Sequence, residues 1–311
     1  MTGAARRITI ADLQRMRTRR EPITMITAYD YPTARLVDQA GIPVILVGDS
    51  LGMVVLGYES TLPVTVDDMV HHGAAVVRGA KRAHVVVDMP FGSYQTTKED
   101  ALRNAVRIMQ ETGCGSVKLE GGMRSAETVE HLVNAGIPVM GHVGLTPQSV
   151  NQLGGYKIQG RTPRDAVRVL NDAKALEEAG AYAVVLEVVP AGVAAGITEK
   201  LAVPTIGIGA GPFCSGQVQV VHDMLAFDDD FTPKHARRFL EGASVIREAL
   251  VAYREAVEAR TFPTEDESFF LDAARRARVE ARIAQHTVDA AHEGVDAEVA
   301  ILSAEGEPET L

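Results

Sequence analysis

The sequence predicts a (β/α)8 TIM barrel, and three observations carry the prediction. Eight strand-like apolar runs alternate with helical patterns between Ile23 and Val221. Repeated βα units imply a parallel sheet, and eight of them imply a closed barrel. The runs are short and almost continuously apolar, as in Val44-Ile45-Leu46-Val47, which is how a strand buried on both faces reads. Four of them carry an acid at or just past their end: Asp49, Asp88, Glu120 and Glu187. An open doubly wound sheet normally uses fewer strands and places a glycine fingerprint after the first, and Thr27-Ala28-Tyr29-Asp30 is no such fingerprint.

Taken in order, Ile8, Leu13 and Met16 mark one face of a short N-terminal helix, and Glu21-Pro22 ends the leader. Ile23–Thr27 is the first strand. Pro32 suits the first turn of a helix that runs to a stop at Gly41. The second strand leads into Gly48-Asp49-Ser50. Thr65-Val66-Asp67-Asp68 caps a helix through Arg78, and His84–Asp88 is strand three. Thr97 opens a helix to Thr112, stopped by Gly113, before strand four, Ser116–Glu120. A helix from Ser125 ends at Gly136 and precedes strand five, Pro138–Gly141. The segment His142–Arg161, rich in Gly and Gln and flanked by firm elements, reads as a functional lid. A helix Pro163–Ala179, strand six Tyr182–Glu187, a short helix Val193–Lys200, strand seven Pro204–Gly207 and strand eight Gln219–Val221 follow. A long helix with Phe239, Ala243, Ile246 and Leu250 on one face closes the set.

Bulk properties bound the function. The chain has 311 residues, 46% of them hydrophobic and 23% charged, ordinary for a soluble enzyme. No apolar run reaches the length of a membrane span, and the arginine-rich start lacks the apolar core of a secretory signal. The net charge of −10 is concentrated at the end, since residues 287–311 hold seven acids and no Lys or Arg. No basic stripe suggests a nucleic-acid partner. Cys114 and Cys214 form no metal or redox spacing and fit a reducing cytoplasm, with packing as their expected role.

The acids carry the chemistry. Neighbouring barrel strands lie about 5 Å apart, so Asp49, Asp88 and Glu120, ending strands two, three and four, can meet at one point. Oxygen ligands without His or Cys select a hard cation, Mg2+ or Mn2+, over Zn2+. Each acid alone could instead cap the following helix or pair with an arginine. Lys118 lies two residues before Glu120 and shares its face, pointing into the barrel just below it. It either neutralises the acids or binds a substrate carboxylate or oxyanion; a Schiff-base role is less suited beside a metal electron sink. Glu187 stands across the mouth among valines and leucine, surroundings that raise a carboxyl pKa and suit a base near neutral pH, unless it only caps the next helix. Gly207-Ile208-Gly209-Ala210-Gly211 says that backbone approaches something closely. His71 and His72, adjacent on a helix, face apart and read as exposed or interfacial.

These stretches resemble one family. Thr27-Ala28-Tyr29-Asp30, Gly48-Asp49-Ser50-Leu51-Gly52, Ser60-Thr61-Leu62-Pro63-Val64-Thr65 and Asp88-Met89-Pro90-Phe91-Gly92 look like ketopantoate hydroxymethyltransferase motifs. So do Val117-Lys118-Leu119-Glu120-Gly121-Gly122, Gly141-His142-Val143-Gly144-Leu145-Thr146-Pro147-Gln148, Gly207-Ile208-Gly209-Ala210-Gly211 and Val221-His222-Asp223-Met224-Leu225. They run through residues 8–270 in the family's order.

The resemblance implies a barrel of the phosphoenolpyruvate/pyruvate type, a cytoplasmic homodecamer, and one Mg2+ per subunit held by Asp49, Asp88 and Glu120. It implies transfer of a hydroxymethyl group from 5,10-methylenetetrahydrofolate, the co-substrate, to 3-methyl-2-oxobutanoate, giving 2-dehydropantoate for pantothenate biosynthesis through a Mg-stabilised enolate. Asp49, Ser50, Asp88 and Lys118 match the positions that hold the oxoacid, His142 matches a pocket histidine, and Glu187 matches the proton acceptor. Ser215 stands where the family pattern carries an acid, and Val188-Val189 replace Cys or Ala followed by Val. Residues 1–270 are thus expected to form the catalytic domain. Residues 271–311 are expected to add a charged helix, with Arg275, Arg276, Arg278, Glu280 and Arg282, and a disordered acidic tail. Two other functions remain open on sequence: another metal-dependent C–C lyase or aldolase of this barrel class acting on a 2-oxoacid, and an inactive barrel that only binds or assembles.

Overall fold

The structure, a computed structural model, describes residues 6–228 and 232–292. Eight parallel strands close on themselves in chain order: β1 (Ile23–Thr27), β2 (Val44–Val47), β3 (His84–Asp88), β4 (Ser116–Glu120), β5 (Val139–Gly144), β6 (Ala183–Glu187), β7 (Thr205–Ile208) and β8 (Gly216–Gln219). Closure is made by β1 and β8, whose register pairs Ile23 with Gly216 and Met25 with Val218. Helix α1 (Ile10–Thr18) precedes the first strand; α2 (Tyr31–Gln39), α3 (Leu51–Val54), α4 (Val66–Gly79), α5 (Lys98–Thr112), α6 (Ala126–Asn134), α7 (Val150–Leu153), α8 (Pro163–Glu178) and α9 (Ala191–Lys200) lie in the connections, and α10 (Val221–Leu225) follows the last strand. The chain divides into two compact units, residues 1–245 and 246–311, with the boundary inside α11 (Gly242–Glu258). The second unit carries the rest of α11 and α12 (Ala273–His292); the tail from residue 293, expected to be disordered, lies outside the described residues.

The two-residue period of the strands sorts side chains into two cores. Met25, Leu46, Val86, Met140, Val185, Ile206 and Val218 fill the barrel, with Leu13 of α1 packed beneath them. Ile45, Val87, Val117, Leu119, Val143 and Leu186 face outward into the layer beneath the helices. The same alternation sends His84, Ser116 and Lys118 inward. Helix starts follow their caps: Thr65 and Asp68 form a reciprocal capping box on α4, and Thr97 accepts from the Asp100 amide on α5.

Three boundaries differ from the sequence expectation. Strand β5 continues through Gly144, so His142 is a strand residue, paired with Glu120 and Val185. Strand β8 is Gly216–Gln219 rather than Gln219–Val221, because the Val221 amide turns away to donate to Thr27 Oγ1 at 2.9 Å and opens α10. Phe239 precedes α11 instead of joining it, since its amide is held by the Met224 carbonyl at 2.8 Å.

The lower end of the barrel is closed by a polar network. His84 Nε2 meets Ser116 Oγ at 2.8 Å, Ser116 Oγ meets the Tyr182 hydroxyl at 2.9 Å, and His84 Nδ1 faces the Ile8 carbonyl at 3.3 Å. Burial pushes the His84 pKa down to about 4. The unfolded chain therefore binds a proton, between its ordinary value and about 4, that the fold does not. Stability from this group is complete above the unfolded value and is lost as pH falls through that window. The unfolding free energy should drop there by roughly 3 kcal/mol, read from denaturant melts at several pH values. His84→Gln should flatten that slope, and an unchanged slope in the variant would assign it elsewhere.

Candidate active site

The C-terminal ends of β2, β3, β4 and β5 bring Asp49, Asp88, Glu120 and His142 to the barrel mouth, each almost completely buried. Asp49 sits on the turn from β2 into α3, where the Leu51 amide donates to the Gly48 carbonyl at 3.1 Å and the Gly52 amide to the Asp49 carbonyl at 3.0 Å. The Asp49 amide donates to Asp88 Oδ2 at 3.0 Å, and Lys118 Nζ donates to Asp88 Oδ1 at 2.7 Å. Lys118 thus lies inside the barrel beside the acids, as its spacing from Glu120 predicts. Ser50 Oγ is 2.9 Å from the buried Tyr29 hydroxyl, which holds it at the rim of the same cluster.

Charge at this floor is unbalanced. Three buried carboxylates face one ammonium. Burial, with Asp88 and Glu120 adding to it, pushes the Asp49 carboxyl well above the ordinary range, against the opposing pull of Lys118 and Gln148. Lys118 is raised as well: burial disfavours its charge, but Asp88, Asp49 and Glu120 outweigh that and hold it protonated. Among the described residues no three acid, His or Cys side chains stand in the geometry of a ready metal cage. Lys118 occupies Asp88, and Gln148 Nε2 occupies Asp49 Oδ2 at 2.8 Å. The donor set nevertheless suits a hard divalent cation, since it is all oxygen and its carboxyl groups crowd one another, a repulsion that a cation would relieve.

Glu187 stands on the far side of His142, 17% exposed where the other acids are sealed. His142 lies between two carboxylates, with Nδ1 3.5 Å from Glu120 Oε1 and Nε2 3.2 Å from Glu187 Oε2. Both are ion-pair contacts without hydrogen-bond alignment. Burial and Lys118 disfavour the imidazolium, yet Glu120 and Glu187 more than offset them, raising the His142 pKa to about 9. Glu187 therefore faces a cationic partner at the mouth, while Val184, Leu186 and Val189, its neighbours in sequence, point to the outer core. Val188 beside it adopts φ +49°, rare for a β-branched residue, with its amide on the Ile208 carbonyl at 2.9 Å and its own carbonyl taking the Gln159 amide at 3.0 Å. Gly144 lies opposite: at φ +94° it comes so close that a Cβ would sit 2.3 Å from the Glu187 carbonyl.

The segment 142–161 carries a residue that sequence reasoning did not single out. Gln148, on a 3-10 turn at Pro147–Ser149, reaches Asp49 Oδ2 and the Met89 carbonyl through Nε2, at 2.8 and 3.0 Å, and gives its amide to Glu120 Oε2 at 3.1 Å. Tyr94, from the loop after β3, donates to Gln148 Oε1 at 2.7 Å and accepts the Glu120 amide at 3.1 Å. Neither residue has a charge to draw notice in a sequence. The other expected groups lie outside the cluster. His72 Nδ1 is bonded to the Tyr29 carbonyl at 2.6 Å, and its ring meets that of His71 edge-on at 5.2 Å, so the pair does not face fully apart. The glycine-rich run after β7 approaches α9, where a Cβ on Gly211 would be 2.3 Å from that of Ala191. Cys114 and Cys214 are thiols raised in pKa by burial, which fits packing.

The sequence pattern of the ketopantoate hydroxymethyltransferase family matches residues 7–265. The chain belongs to that family. Proteins named 3-methyl-2-oxobutanoate hydroxymethyltransferase are similar to it over most of its length. One from Chloroflexus aurantiacus is 58% identical over 271 residues, covering 87% of this chain and 96% of its own. One from Dehalococcoides mccartyi is 56% identical over 266 residues, covering 86% and 94%. Among solved structures, phosphoenolpyruvate phosphomutase from Streptomyces platensis shares the fold at a TM-score of 0.56 and 13% identity, over 90% of this chain and 99% of its own. The oxaloacetate acetylhydrolase complex with oxalate matches at 0.56 and 15% identity, over 93% and 100%. The likeness to both is one of fold. Ser215, where the resemblance implies an acid, lies at the opposite end of the barrel from the acids, exchanging bonds with Thr205 at 3.1 and 3.2 Å.

Proposed function

We propose that the chain transfers a hydroxymethyl group from 5,10-methylenetetrahydrofolate to 3-methyl-2-oxobutanoate, forming 2-dehydropantoate in pantothenate biosynthesis. The observation that carries this is the division of the mouth into a sealed, crowded acid trio and a fourth, partly open carboxylate across from it. Asp49, Asp88 and Glu120 would hold one Mg2+, which when bound supplies a Lewis acid for the keto oxygen of the substrate. Ser50, Asp49, Asp88, Lys118 and His142 line the place of the oxoacid. Lys118 brings a fixed positive charge to meet the substrate's carboxylate or developing oxyanion. Glu187 accepts the C3 proton, oriented by His142; C3 then bonds to the one-carbon unit, whose two bonds to folate nitrogens break, water supplying the hydroxyl and tetrahydrofolate leaving.

The activity is tested by following hydrogen–deuterium exchange at C3 of 3-methyl-2-oxobutanoate with Mg2+, then adding methylenetetrahydrofolate. Exchange followed by folate-dependent product is expected. Absence of exchange overturns an enolising enzyme; exchange without product favours an aldolase of the same class.

Small molecules are the substrates of this family, and no described helix is long and apolar enough to cross a membrane. We carry the family's cytoplasmic homodecamer to this chain, expecting light scattering to give a particle of ten 33.3-kDa subunits.

A further inference from the structure

We infer that Gln148 is the positioning residue that aims Asp49 and Glu120 at a shared divalent cation; this rests on those acids forming a metal site. Gln148 bonds to both of them. Its Nε2 donates to Asp49 Oδ2 at 2.8 Å and its backbone amide donates to Glu120 Oε2 at 3.1 Å. One oxygen of each carboxylate is thereby engaged, which leaves Asp49 Oδ1 and Glu120 Oε1 for the cation, the latter 3.5 Å from His142 Nδ1. The side-chain amide is itself fixed. Tyr94 and Gln95 donate to its Oε1 at 2.7 and 3.1 Å, and the Met89 carbonyl takes the second contact from Nε2 at 3.0 Å. Gln148 and Tyr94 are both buried, so these bonds meet little competition from water.

The residue type fits the task. A carboxylate at this position would add another acid to the floor and could not donate to Asp49. A hydrocarbon would leave Asp49 Oδ2 without this donor and the Tyr94 hydroxyl without its acceptor. An uncharged side chain that both donates and accepts restrains two carboxylates without competing for the cation. Groups that hold ligating carboxylates typically set metal affinity by about 10–100-fold.

The test is the Mn2+ affinity of the full-length protein, measured by electron paramagnetic resonance titration, for wild type, Gln148→Leu and Tyr94→Phe. Gln148→Leu is expected to weaken Mn2+ by about 10–100-fold, with turnover recovering toward wild type at saturating Mn2+. Tyr94→Phe, which removes one of the two donors to Gln148 Oε1 and keeps the ring, is expected to shift affinity in the same direction by a smaller factor. It also serves if the leucine variant does not fold. Wild-type affinity in a folded variant, or a turnover loss that saturating Mn2+ does not relieve, overturns the role of Gln148. Wild-type protein that binds no Mn2+ overturns the metal site itself.

Discussion

Glu187→Gln is expected to slow C3 exchange of 3-methyl-2-oxobutanoate by about 10²–10⁴-fold, the ordinary contribution of a positioned base. The substitution keeps the shape and a polar face toward His142 but removes the basic oxygen. Glu187 contacts His142, at 3.2 Å, and none of Asp49, Asp88 and Glu120. The Mn2+ affinity of the variant should therefore match wild type. Its stability should change little, because the side chain is partly open and His142 keeps a polar neighbour. Exchange monitored by proton NMR in deuterated buffer reads the effect directly. Exchange at the wild-type rate would remove Glu187 as the proton acceptor, and loss of Mn2+ binding would place it in the metal site instead.

Lys118→Met is expected to cost about 3–5 kcal/mol of folding stability, as breaking a buried ion pair by deleting one partner does. The ammonium is 2.7 Å from Asp88 Oδ1, and both groups are sealed from solvent. Methionine preserves much of the volume and leaves Asp88 buried without its counter-charge. The variant should recover part of its stability as Mg2+ is raised, since the cation then supplies the missing positive charge. Urea melts with and without Mg2+ measure both effects. A loss below about 1 kcal/mol would mean that the floor relaxes or protonates easily enough to need no lysine.

Sequence reasoning reached the barrel because its evidence is local. A strand buried on both faces must be apolar along its length, and a helix on its surface repeats every three to four residues. The acids were legible for the same reason, since a carboxylate at the end of an apolar run needs an explanation. Boundaries at β5 and β8 were harder. His142 is polar and follows a glycine, so it read as loop, yet its pairing with Glu120 and Val185 makes it strand. Gly216 falls outside the strand expected at Gln219–Val221, because nothing nearby in sequence indicates that it must pack against Ile23 of β1. Gln148 and Tyr94 were missed because their hydrogen bonds reach residues far away in the chain.

By itself the sequence determined the fold class, the inward direction of Lys118 and the set of carboxylates at the mouth. These follow from periods of two and about 3.6 residues and from the position of acids relative to strands. The partners of those acids were settled by the closed sheet. Lys118 lies on Asp88, Gln148 spans Asp49 and Glu120, and His142 stands between Glu120 and Glu187. Those contacts join residues 22 to 99 positions apart, and only barrel closure sets their distances. Local chemistry supplies the groups, while packing in three dimensions chooses which of them meet.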